Sequence, residues 1–115
     1  MKASVYAIPG MRRTITPNDI DAEVCYSYNI AIDQLRLRTR KREISEARQV
    51  AMYLYLTQLK LKQQAVALHF GDFNRATVLY SRDTVINLKE TNKTYNQRLQ
   101  TIIHKLKFSG TVGSV

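Results

Sequence analysis

The chain has 115 residues, with 18 Lys+Arg against 9 Asp+Glu and a formal net charge of +9 at neutral pH. That length is one domain, its 44% hydrophobic content is globular rather than disordered, and its single cysteine, Cys25, excludes an intrachain disulfide and points to the cytosol. No apolar run reaches the roughly 18 residues of a membrane span, and the stretch before Pro9 is too short for a secretion signal.

Residues 1–15 show no period and carry Pro9, Gly10, Arg12 and Arg13. They read as an arm. Order begins at Thr16, Pro17 and Asp19, which have the spacing of a helix cap, a first helical proline and a capping box. Ile20, Val24 and Tyr28 follow on one helical face, with Cys25 at its flank, so a helix is expected to about Asn29. Ile30, Ile32 and Leu35 suggest a single helical turn. Arg36 to Arg42 then holds five basic residues in seven and no acid. Such a run is solvated or lies against anions.

From Glu43 to about Leu59 the pattern is strongly helical, with Ile44, Ala47, Val50, Ala51 and Leu54 recurring at three and four. Lys60, Leu61 and Lys62 break it. Gln63 to Phe70 fits two helical turns, and Gly71 with Asp72 fits a turn. Another helix opens at Phe73 or Asn74 and runs to about Lys89, with Val78, Arg82, Val85 and Ile86 as a mixed face. The last helix, Asn92 to Lys107, buries Tyr95, Leu99, Ile102, Ile103 and Leu106. Residues 108–115 read as a flexible tail. No strand pattern and no internal repeat occur. The fold expected is all-α, a compact bundle of five to six helices in one domain over residues 16–107.

Function classes narrow with the same residues. There is no Gly-rich phosphate loop, no paired-cysteine metal spacing and no nucleophile–base pair. Neither an enzyme nor a metal or cofactor site is expected. Cys25 reads as core, His69 as a partly buried helix histidine, and His104 as solvated. The seven tyrosines admit base stacking, but Tyr53, Tyr55 and Tyr95 fall on helices where packing is the simpler account. A basic domain of this kind points to a polyanion, most often nucleic acid. The short helix, Gly-containing turn and longer helix over Lys62 to Lys89 have the outline of a helix-turn-helix, whose second helix lies in the major groove.

Several segments resemble the C-terminal DNA-binding domain of the bacterial chromosomal replication initiator DnaA. After the basic run, that family has Ala/Pro-Arg-Gln and Ala-Met-x-Leu; this chain has Ala47-Arg48-Gln49, Ala51-Met52 and Leu54. Phe70-Gly71-Asp72-Phe73-Asn74-Arg75-Ala76-Thr77-Val78 resembles the signature Phe-Gly-Gly-Arg-Asp-His-Thr-Thr-Val. Tyr28-Asn29-Ile30 and Asp33-Gln34-Leu35 fit the upstream elements. The resemblance extends over Ile15 to Lys107 and implies a Trp-repressor-like helix-turn-helix. The family's ATPase module has no counterpart here. The chain is therefore expected to be an excised domain or a free-standing relative, for instance from a phage or mobile element.

The resemblance implies site residues position by position. Arg40 takes the place of a minor-groove arginine, with Arg38 and Arg42 beside it in the basic run; a narrow minor groove concentrates negative potential. Arg48 and Gln49 take backbone-contacting places, and Gln64 opens the first hairpin helix. Asn74, Arg75 and Ala76 stand where bases are read, and Thr77 where a phosphate is held. Asn favours adenine, Arg guanine and Ala the thymine methyl, so a target different from the usual initiator box is expected. The partners expected are double-stranded DNA and replication proteins, for a cytoplasmic, nucleoid-associated monomer without membrane contact. The rival readings are a protein-interaction adaptor, a transcription regulator of a phage or mobile element, and an RNA binder. Residues 36–48 hold six Lys+Arg against Glu43 and Glu46. The charge is concentrated where this reading needs it.

Overall fold

The computed structural model describes residues 15–71 and 73–109. The expected arm before Ile15, the tail beyond Ser109 and Asp72 of the expected turn lie outside the described residues.

Helix α1 runs Pro17–Tyr28. Thr16 Oγ1 accepts the Asp19 N–H at 3.2 Å, and Asp19 Oδ2 accepts the Thr16 N–H at 2.9 Å. This capping box satisfies donors that the first turn cannot use internally. Ile20, Val24, Cys25 and Tyr28 are buried. Asn29, in the left-handed region at φ 55°, ends the helix. A 3₁₀ helix, Ile32–Arg36, follows. Only Leu35 of its apolar residues reaches the core, whereas Ile32 is 47% exposed.

Helix α2 runs Arg42–Gln58 and buries Ile44, Ala47, Val50, Ala51, Met52, Leu54 and Tyr55. Lys60 then takes φ 58°, and the Leu61 N–H reaches back to the Tyr55 carbonyl at 3.2 Å. This turn aims the chain into α3, Gln63–His69. Gly71 has φ 97°, which L side chains rarely adopt, so glycine is required there for conformation; a Cβ would meet nothing within 4 Å. Helix α4, Arg75–Thr91, is capped by Asn74. Phe73 and Val78 bracket that cap, both in the core, at the spacing of a hydrophobic staple.

Asn92 both ends α4 and starts α5. Its N–H bonds the Leu88 carbonyl at 2.8 Å, and its Oδ1 accepts the Tyr95 N–H at 3.0 Å. Helix α5 runs Lys93–Ser109, two residues past the expected end. It buries Tyr95, Leu99, Ile102 and Leu106.

The bundle is all-α, with no strand among the described residues. Helix α2 packs on α1 and α4, α3 on α4 and α2, and α5 on α1 and α4. Tyr55, Phe70, Leu35 and Met52 fill the centre. One expectation is corrected. Arg82 does not belong to the buried face of α4; Ser81 does, between Val78 and Val85. Arg82 instead pairs with Asp83 at 3.0 Å, at the surface.

Candidate nucleic-acid interface

The helix-turn-helix is formed by α3 and α4, and the basic segment lies against its turn. Three arginines hold that segment down. Arg36 Nε donates to the His69 carbonyl at 3.1 Å, and its Nη2 lies 3.4 Å from Asp21 Oδ2. Arg38 donates to the Gly71 carbonyl at 3.2 Å. Arg48, from α2, donates to the Leu37 carbonyl at 2.6 Å.

Phe73 is the platform of this surface. The Arg38 guanidinium carbon sits 4.2 Å from its ring centroid and that of Arg48 5.0 Å. Each cation is attracted to the ring face, but two like charges are thereby brought together. Burial, and then the charge of Arg38, pull the Arg48 guanidinium below its ordinary range; it remains charged at neutral pH. An approaching anion would relieve the mutual repulsion, which makes the arrangement suited to phosphate.

Asn74 follows Phe73 directly. Its Oδ1 accepts both the Thr77 N–H at 2.9 Å and the Thr77 hydroxyl at 3.2 Å. That oxygen is occupied by capping, so the bidentate adenine contact expected of Asn74 requires a cap bond to be released. Its Nδ2 remains a donor. Arg75 and Ala76 are exposed on the first turn of α4. Gln64 and Arg75 line two adjoining grooves. One is completed by Ala67, Leu68, Phe73 and Asn74, the other by Leu56, Leu61, Lys62 and Gln63.

The remaining predicted residues divide. Arg40 is exposed beside the anchored part of the basic segment. Arg42 opens α2 and lies 4.0 Å from Glu46. Gln49 shares the stripe of Arg42 and Glu46, about 100° around the helix from Arg48. Arg48 and Gln49 therefore do not project together. The roles of Phe73 and Leu68 were not visible in the residue types sought. An aromatic just before an Asn cap was the available signal for Phe73. Leu68 is 61% exposed in the groove, and no local pattern marks it.

Beneath the turn lies a polar cluster. Asp21 is 3% exposed, and its Oδ1 accepts the Tyr55 hydroxyl at 2.7 Å. His69 Nε2 lies 2.7 Å from Arg36 Nη2 and 2.8 Å from the Tyr55 oxygen. Thus Arg36 ties α1, α3 and the basic segment together rather than facing solvent. Cys25, close by, has its thiol pushed up to about 11 by burial and by Asp21, which suits a core residue and not a nucleophile. Among the described residues, no three His, Cys, Asp or Glu side chains gather as a metal site requires. No described helix is long and apolar enough to cross a membrane.

Comparison with known proteins agrees with this architecture. Residues 17–85, from α1 to within α4, match the family described as bacterial dnaA protein helix-turn-helix. The chromosomal replication initiator protein DnaA of Trichormus variabilis is 31% identical over 107 residues, 93% of this chain and 23% of the relative. That of a Nostoc species is 32% identical over 107 residues, again 93% and 23%. That of Bacteroides fragilis is 33% identical over 95 residues, 83% and 20%. The chain thus spans about a quarter or less of the length of these relatives. Their shared segment is the one that builds the helix-turn-helix, and the chain belongs to the bacterial DnaA helix-turn-helix family.

Proposed function

We propose that this domain binds double-stranded DNA sequence-specifically, in replication initiation or its regulation, without ATPase activity of its own. The observation that carries this reading is the convergence of Arg38 and Arg48 on Phe73, next to the residue that opens α4. A duplex whose major groove receives the start of α4 would set its backbone against those two guanidinium groups. Residues 16–107 form the binding module, acting as a monomer on DNA in the cytoplasm. Arg40 is assigned to the minor groove and Thr77 to a phosphate. Arg42 and Gln49, on their separate stripe, reach only the flanking backbone.

Base reading rests on Arg75, Ala76 and Gln64, with Asn74 contributing its Nδ2. Arg75 favours the O6/N7 edge of guanine. The capped Asn74 donates to a ring nitrogen or a phosphate, which weakens the adenine preference of a free asparagine. The site selected should therefore contain a guanine opposite Arg75 and differ from the usual initiator box.

Selection of bound duplexes from a random library at physiological salt tests the specificity. Recovery of the usual initiator box as best site would reject the altered reading. An Arg48→Ala, Arg75→Ala double variant should lose about a hundredfold or more in duplex affinity, at about 1–3 kcal/mol per contact, with its helical circular dichroism intact. With about six phosphate contacts, wild-type affinity should fall about a thousandfold between 50 and 200 mM salt. A wild-type chain that binds no duplex, but captures a replication protein, would favour the adaptor reading.

A further inference from the structure

We propose that Leu68 is a specificity-determining residue, which packs on the 5-methyl group of a thymine near the base read by Arg75. The inference rests on the DNA-binding reading above and deepens it, adding a base contact from α3 to those from α4.

Leu68 is 61% exposed. A single exposed leucine is ordinary on a protein surface, so exposure alone assigns it no role. Leu68 is set apart by its surroundings. It lines one groove together with Gln64, Ala67, Phe73, Asn74 and Arg75. Asn74 caps α4 and Arg75 opens it, so this groove lies between α3 and the part of α4 assigned to base reading. A base edge brought to both Asn74 and Arg75 enters the groove that Leu68 lines. The apolar part of the lining is completed by Ala67 and Phe73, which belong to the core. Leu68 therefore stands on a packed helix beside fixed neighbours.

Gln64 and Leu68 are four apart and share a face of α3. From Gln63 to Leu68 the chain carries no charged residue. Cations stand at either side of this strip, where Lys62 and Arg75 line the adjoining groove with Gln63 and Gln64. Phosphates are held by cations, so an uncharged strip between them is left for the base edges.

Chemistry then selects the base. In the major groove the bases present acceptors, amino donors and a single kind of apolar group, the thymine C5-methyl. Leucine pairs with neither donors nor acceptors. Against adenine, guanine or cytosine it removes water from a polar edge and replaces no hydrogen bond. Against thymine, two apolar surfaces leave water together, which is favourable.

Deoxyuridine differs from thymidine only by that methyl group and so provides the test. The best duplex from random-library selection is remade with each thymine replaced singly by deoxyuridine. Binding is measured at physiological salt for the wild-type chain and for Leu68→Ala. In the wild type, one replacement should weaken binding about three- to fivefold, the effect of burying one methyl group. Leu68→Ala, with its helical circular dichroism intact, should bind the thymine duplex more weakly and no longer distinguish it from the deoxyuridine duplex at that position. A thymine methyl met by Ala76 keeps its effect in Leu68→Ala, so the paired measurement isolates the Leu68 contact. The inference alone is overturned if every methyl effect of the wild type persists in Leu68→Ala. It is overturned equally if no replacement weakens wild-type binding, or if the selected site holds no thymine. A wild-type chain that binds no duplex overturns the underlying reading as well.

Discussion

Tyr55 and Tyr95 are both buried, at 0% and 7% exposure, but their hydroxyl groups meet opposite circumstances. The Tyr55 hydroxyl lies 2.7 Å from Asp21 Oδ1 and 2.8 Å from His69 Nε2. The Tyr95 hydroxyl has no hydrogen-bond partner among the described residues. A buried polar group costs free energy unless it is paired, and removing one member of a pair exposes the other to that cost. The same substitution should therefore change stability in opposite directions. Tyr55→Phe removes the donor from Asp21 Oδ1, leaving Arg36 3.4 Å from Oδ2, and should cost about 1–3 kcal/mol, whereas Tyr95→Phe should gain up to about 1 kcal/mol. Urea midpoints at constant slope measure both; equal shifts would refute the assigned hydrogen bonding. At this scale the sequence was half legible. Tyr95 falls on a helical stripe and announces itself as core. The Asp21–Tyr55 pair joins residues 34 apart, and no local period carries information about it. Arg36 was hidden for the same reason: a basic run marks a solvated surface, and only the fold brings Asp21 and His69 beneath its first residue. Asn74 was legible as a cap, but the consequence for base reading needed the positions of both Thr77 donors.

The elements were more legible than the contacts between them, because helix boundaries obey local rules. Thr16, Pro17 and Asp19 encode the start of α1 within four residues, and Asn74 does so for α4. The stripe of α4 was misassigned for an equally local reason. Positions 81 and 82 both lie near the line joining Val78 to Val85, and a small serine beside a long arginine does not reveal which one is inward. The break after α2 was visible as Lys60, Leu61 and Lys62, but not its conformation. There the Leu61 N–H must turn back to the Tyr55 carbonyl, which forces Lys60 to φ 58°. A left-handed residue with a Cβ costs about 1–2 kcal/mol, and glycine avoids this at a smaller cost in unfolded-state entropy of about 0.5–1 kcal/mol. Lys60→Gly should therefore stabilise the domain by about 0.5–1 kcal/mol, raising Tm by a few degrees. Calorimetry checks this, and a lowered Tm would mean that the lysine side chain stabilises the turn in another way. Asn29, at φ 55°, is already a residue tolerated there, so a glycine in its place should gain less.

At the scale of the whole molecule, the net charge was legible at once but its layout was not. Residues 36–48 and α5 carry equal formal charge, and the fold brings them together where Arg98 lies 3.9 Å from Glu46. The interior holds several groups that release protons at alkaline pH. Burial pushes the Cys25 thiol up to about 11. Burial likewise raises Tyr28, Tyr55 and Tyr95 above the ordinary tyrosine value of 10, helped by Glu46 at Tyr28 and Tyr95 and by Asp21 at Tyr55. In each case the folded state favours the neutral form, so the folded value is the higher one. Below about pH 9 both states keep these protons and stability is complete. Above the ordinary values, 9.0 for the thiol and 10.0 for the phenols, the unfolded chain releases protons that the folded chain retains. Stability then falls by about 1.4 kcal/mol per group for each pH unit. Against a typical total of about 5–15 kcal/mol, four such groups should unfold the domain between about pH 10 and 12. Circular dichroism and tyrosinate absorbance, followed together, test this account. The absorbance of the three buried tyrosines should appear in the same cooperative step as the loss of helix. Complete tyrosine ionisation with the helices intact would show that these side chains are not sealed within the bundle.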